Sequence, residues 1–200
     1  MGYDLASFAE PPWGAPLDAE AVIAGLPPES SMRGMFLSAV VGRAARDGLT
    51  LPSARERYLP FEPYPLHEHC RLLVELARAA WPQDTLRQGL RRIGRGAAQA
   101  FRSSTFGGVT VGAADNVGDV LAEMAKTFAV LAKPGRIEVV ERGGGYAVLE
   151  LTDIHFFLDS HHVGVYESAL RLAGARDAHI RVRLETTSRG HFLCTWDERA

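Results

Sequence analysis

The spacing of apolar residues changes once along this chain, and that change limits what it can fold into. From about residue 66 to Lys133 they recur every three to four positions; after Pro134-Gly135 they alternate. The first period belongs to helices with one buried face, the second to strands. Residues 66–81 place Leu66, Cys70, Leu73, Leu76, Ala77, Ala80 and Trp81 on one side, with Glu68, Arg71, Glu75 and Arg78 opposite. Pro82 stops this helix, and Asp84 or Thr85 caps the next, which runs to about Phe101 with Leu86, Leu90, Ile93, Ala97 and Phe101 aligned. A third helix, 117–132, turns Val117, Val120, Leu121, Met124, Phe128 and Leu131 inward.

Beyond Pro134 the pattern reads strand, strand, helix, strand, strand. Residues 137–142 and 146–152 flank the turn Gly143-Gly144-Gly145. Asp159 or Ser160 caps a helix ending near Ala173, and strands 179–186 and 191–196 flank Ser188-Arg189-Gly190. In strand 179–186, Ile180, Val182 and Leu184 alternate with Arg181, Arg183 and Glu185, so one face is buried and one is wet. The expected fold class is α+β: an N-terminal helical layer, then a four-stranded antiparallel sheet with one inserted helix. Residues 1–29 read as an irregular arm with a short helix from Asp18, stopped by Pro27-Pro28; residues 30–200 read as one domain. Ser30 or Ser31 is expected to open a helix through Met32, Met35, Phe36, Ala39, Val40 and Arg43 that ends at Gly48, followed by a loop over 49–65.

Composition narrows the function classes. The net charge of −2 points away from nucleic acid and from a membrane surface. No apolar run approaches the roughly 20 residues of a membrane span. Residues 1–26 carry Asp4, Glu10, Asp18 and Glu20 without Lys or Arg, the wrong charge for a signal peptide, so the expected location is the cytoplasm. The two cysteines, Cys70 and Cys194, read as small buried hydrophobes in a reducing compartment.

No set of residues is spaced as a catalytic or metal motif. The glycines at 107–108 and 143–145 are turns without the Lys-Ser/Thr of a phosphate loop, and no nucleophile elbow or zinc-protease helix is present. His67 and His69, two apart on a helix, diverge; His69 alone falls near the apolar face, as a pocket imidazole or a core histidine. His161-His162 follow Asp159 and read as capping, solvated residues, with Asp153, His155 and Asp159 as a weaker metal alternative. Arg87, Arg91, Arg95 and Arg102 form a helical stripe with Arg92 beside it, and no carboxylate falls between Arg87 and Arg102. The stripe is either a surface for an anion or an acidic protein partner, or the solvated back of a helix.

The segments Ser31-Met32-Arg33-Gly34-Met35-Phe36, Tyr64-Pro65 and Leu86-Arg87-Gln88-Gly89-Leu90-Arg91-Arg92-Ile93-Gly94-Arg95 resemble an uncharacterised myxobacterial paralogous family of about this length. More remotely, the order of elements is similar to the superfamily of the haem-nitric-oxide-binding domain, the four-vinyl-reductase domain and the TRAPP tethering subunits. That resemblance implies a pocket between helices and sheet. It also implies a proximal histidine on the helix before the sheet, yet the stretch from Leu121 to Phe128 has none. Leu151, Asp153 and His155 occupy the positions of the family's Tyr-x-Ser-x-Arg motif, so haem is not expected and no other cofactor is. The reading favoured is a non-enzymatic sensory domain that binds an unknown apolar small molecule. Its pocket would use Met35, Phe36, His69, Cys70, Leu73, Leu121, Met124 and Phe128. The alternative is a homodimeric interaction module working through the arginine face.

Overall fold

The computed structural model describes residues 2–102 and 116–197, with the side chains of 98–102 outside that description. The change of period falls where the sequence places it. Helices α1 (Ala19–Ala24), α2 (Gly34–Arg46), α3 (Leu66–Ala80), α4 (Leu86–Arg102) and α5 (Val117–Leu131) precede the main sheet. That sheet comprises β4 (Arg136–Gly143), β5 (Tyr146–Thr152), β6 (Arg176–Leu184) and β7 (Gly190–Asp197), in the order β4-β5-β7-β6 and antiparallel throughout. Helix α6 (Val163–Leu172) is inserted between β5 and β6.

The central strand β5 is buried on both faces. Ala147, Leu149 and Leu151 join the main core with Leu72, Leu73, Leu76 and Leu121. Val148 and Leu193 point the other way, where Phe8 of the N-terminal arm covers them. Ala9 exchanges two backbone hydrogen bonds with Val182, of 2.9 and 2.8 Å, which ties the arm along the outer edge of β6. Part of the arm is therefore a sheet cover, with no apolar periodicity of its own to announce it.

Two expectations fail locally. Residues 31–33 form a strand rather than the first helical turn: β1 (Ser31–Arg33) lies between β2 (Pro63–Pro65) and β3 (Ala132–Lys133) in a small antiparallel sheet. The partners lie about thirty and a hundred residues away, so tertiary pairing decides these three residues. The helix expected from Asp159 begins instead with a π-helical turn, Leu158–His162, entered through Phe157 at φ 44°. The left-handed region is uncommon for a bulky aromatic residue. Asp159 does not cap; its carboxylate accepts from Arg87 Nε at 2.9 Å.

Helices α4 and α6 approach closely through facing glycines. A Cβ on Gly94 would lie 2.1 Å from the carbonyl oxygen of His161, and one on Gly164 would lie 2.1 Å from that of Arg91. These two absent side chains seat the inserted helix on the helical layer.

Candidate functional site

A π turn carries one residue more than an α turn and is found often at functional sites. Here it turns two consecutive imidazoles into the protein. His161 and His162 are 6% and 4% exposed, and His69 of α3, at 3%, comes to meet them. Ring centroids stand 6.2 Å apart for His69 and His161 and 5.5 Å apart for His161 and His162. Phe156 packs against all three, at 6.0, 6.0 and 4.6 Å from His69, His161 and His162.

Each of the three histidines has a buried Nδ1 without a hydrogen-bond partner. Such atoms are uncommon in protein interiors, because an unmade hydrogen bond costs on the order of 1–3 kcal/mol. The same three rings line a cavity of about 90 Å³, with Met32, Phe36, Met124, Thr127, Phe128, Ile137, Tyr166 and neighbouring apolar groups as its other walls. Among the residues described as lining it there is no Asp, Glu, Lys or Arg.

Burial decides the protonation of the cluster. It pushes His69 down to about 3, with His162 adding to the effect. Burial also lowers His162, to about 4, against the opposing pull of the Phe157 and Phe156 carbonyls. His161 is lowered well below its ordinary value by burial first, then by His162 and His69. All three rings are therefore neutral near pH 7, each with one N–H donor and one bare nitrogen acceptor. Among the described residues no group of three or more His, Cys, Asp or Glu is arranged to hold a metal ion.

Of the pocket residues read from the sequence, the structure brings together Phe36, His69, Met124 and Phe128. Cys70, Leu73 and Leu121 are fully buried packing residues of the main core, and Met35 is half-buried outside the cavity lining. Burial pushes the Cys70 thiol far up, so it stays protonated. The sequence reading missed His161 and His162, which it took as solvated. Two adjacent histidines diverge on an ordinary helix, and nothing in the residue types marks the π turn that turns both inward.

The arginine stripe is not one free face. Arg87 donates to Asp159 and to the carbonyls of Ala15 and Pro16, the latter two at 3.1 and 2.6 Å. Arg91 chelates Glu167 of α6 and lies 4.2 Å over the Trp13 ring. Arg95 reaches the same carboxylate at 2.7 Å. Arg92, the exposed member, pairs with Asp84 at 2.7 Å and stacks on Trp81. The side chain of Arg102 lies outside the described residues. The carboxylates of Asp159 and Glu167 bind α4 to the π turn and the inserted helix, and the carbonyls of Ala15 and Pro16 with the Trp13 ring bind it to the arm.

Burial of Glu167 pushes its carboxyl up, but the hydrogen bonds from Arg91 and Arg95 outweigh this and hold it below the usual range. Glu167→Gln is expected to cost about 2 kcal/mol in urea unfolding at pH 7, the scale of hydrogen bonds to a charged group. Both arginines retain some access to solvent, which keeps the loss at that level.

Residues 26–197 match the family described as "Protein of unknown function (DUF2378)". The chain belongs to this family. No curated protein matches the sequence. Solved structures similar to this DUF2378 chain include H-NOX proteins. The Fe(II) unliganded H-NOX protein from K. algicida is 13% identical, covers 84% of this chain and 98% of its own, and superposes with a TM-score of 0.66. The Fe(II)NO form of an H-NOX protein from S. oneidensis is 11% identical, with 84% and 100% coverage and a TM-score of 0.64. An oxygen-binding H-NOX domain related to soluble guanylate cyclases is 13% identical, with 82% and 93% coverage and a TM-score of 0.62. At such identities the likeness shows the fold: this DUF2378 chain has the H-NOX architecture.

Proposed function

We propose that this domain is a sensory module that binds a small ligand, without haem, in the cavity between His69, the His161-His162 turn and α5. The observation that carries the reading is a cavity of about 90 Å³ with an apolar surface, bordered by three buried imidazoles and by Thr127 and Tyr166. Apolar walls with a few polar groups are the usual make-up of a small-molecule site. The π turn and the left-handed Phe157 hold the two histidines in place, and backbone strain of this kind gathers at ligand sites.

The H-NOX neighbours include an Fe(II) unliganded protein and a protein from a study of haem distortion in that family. Three features speak against haem here. Helix α5 carries no histidine. Leu151 is fully buried in the core, so the strand does not offer a polar clamp there. The cavity, at about 90 Å³, falls well under the roughly 300–1,000 Å³ typical of sites for drug-sized ligands, and a haem is no smaller than those.

The test is an absorption spectrum together with native mass spectrometry of the freshly purified full chain. A colourless protein carrying a low-mass adduct that is released on mild activation is the expected result. A Soret band would overturn the haem-free reading. Adduct-free protein with no thermal shift across a panel of small molecules would overturn the ligand site.

A further inference from the structure

We infer that the N-terminal arm is a strap released by acid: Tyr3 covers His191 on the outer face of the sheet, and a proton on His191 lifts the arm. The Tyr3 hydroxyl is 3.0 Å from His191 Nε2, and the two rings meet at a centroid distance of 5.1 Å. The Tyr3 amide donates to Glu141 Oε2 at 2.8 Å. Arg183 of β6 fastens the same stretch from beside the imidazole. Its guanidinium lies 5.2 Å from the Tyr3 ring and 5.1 Å from the Phe8 ring, and it donates to Ser7 Oγ at 3.1 Å. Phe8 rests on Val148 and Leu193, so the strap covers an apolar patch that lifting would bare.

His191 is 4% exposed although it shares with Leu193 the sheet face opposite the main core. The groups around its ring are Tyr3 of the arm, Arg183 of β6, Glu150 of β5, and Glu185 and Arg189 of the turn between β6 and β7. Its Nδ1 is 3.4 Å from an Arg183 nitrogen and 3.3 Å from a Glu185 carboxylate oxygen. The neutral ring accepts from Arg183 at Nδ1 and keeps its N–H at Nε2 for the Tyr3 hydroxyl. A protonated ring has no bare nitrogen left. Its Nδ1–H turns to Glu185, and the guanidinium that fastens the arm faces a second cation. Burial first, then Arg183 with Arg189, outweigh Glu185 and Glu150 and hold His191 below its ordinary value. Tyr3 supplies part of that burial. A ring more basic with the arm off than on binds its proton better in the lifted state, so falling pH favours lifting. At the arm's far end Glu10 and His179 stand 2.6 Å apart, and charge on His179 tightens that contact, so it works against release.

The experiment is amide hydrogen exchange and imidazole titration by NMR on the full chain from pH 7.5 to 5.5, with rates corrected for the pH dependence of exchange itself. The Ala9 amide, bonded to the Val182 carbonyl at 2.9 Å, reports the strap. Its protection is expected to fall severalfold as His191 takes up its proton, and that fall should be lost in His191→Gln. Reciprocally, Tyr3→Ala should raise the pH at which His191 titrates. An Ala9 amide equally protected on both sides of the His191 titration, or one whose protection falls as much in His191→Gln, overturns the inference. So does an unchanged His191 midpoint in Tyr3→Ala. That substitution touches only the outer face of the sheet and decides alone if His191→Gln does not fold.

Discussion

Lowering the pH from 7 to 5 is expected to destabilise this protein by several kcal/mol, through His69, His161 and His162. The sign follows from their neutrality in the fold. In the unfolded chain a histidine titrates near 6.5, whereas burial depresses these three, His69 to about 3 and His162 to about 4. Below pH 6.5 the unfolded chain takes up protons that the folded chain refuses, so stability falls with falling pH until the folded values are reached. At pH 5 His69 and His162 have together forfeited roughly 4 kcal/mol, and His161 adds to the loss in the same direction. That is a substantial part of the whole stability of many domains, about 5–15 kcal/mol.

His191, on the outer sheet face, is lowered by burial and by Arg183 and adds a smaller share. Glu167, held below its ordinary value, loses its contribution only at more acid pH, so the window from 6.5 to 5 belongs to the histidines. Urea unfolding followed by tryptophan fluorescence across that window checks this. The slope near pH 5 should correspond to an uptake of at least about two protons on unfolding, and His69→Gln should lower it by about one. Stability unchanged between pH 7 and 5 would mean that the imidazoles are not buried as described.

Gly94→Ala is the second large effect. The new methyl group would sit 2.1 Å from the His161 carbonyl oxygen and 3.0 Å from the amide of Val165, both backbone atoms that cannot rotate away. Helices α4 and α6 would have to part, loosening the grip of Arg91 and Arg95 on Glu167 and shifting the turn that holds His161. Overpacking of this kind costs about 3 kcal/mol, or roughly 6 to 12 °C in melting temperature for a chain of this size. Gly96→Ala on the same helix is the control. Its added methyl meets nothing within 4 Å, so the change should be neutral or stabilise by up to about 1 kcal/mol. If the two alanines behaved alike in calorimetry, the close helix contact would be refuted.

These effects show where the sequence was readable. The amphipathic helices and the alternating strands were legible because each is set by the period of its own residues: Leu73 and Leu76 on α3, and Ile180 and Val182 on β6, are buried as that period requires. The arm's role was hidden, because Phe8 gains its meaning from Val148 and Leu193, far away in the chain. The pairing of the arginine stripe was hidden for the same reason where its carboxylates are Asp159 and Glu167, some seventy residues on; only Asp84, the partner of Arg92, is near in the chain. The cavity was half legible. His69, Phe36, Met124 and Phe128 lie on periodic faces, whereas His161 and His162 owe their inward aim to a π turn that no pattern of residue types spells out.

On the function proposed here, His69, His161 and His162 border a space that a small molecule can enter. A crystal held under xenon pressure tests it without assuming any ligand class, since apolar cavities of adequate size take up xenon. The account predicts a xenon atom bounded by Met124, Phe128 and Phe156. Xenon absent from that position, whether or not it binds elsewhere on the molecule, would contradict it.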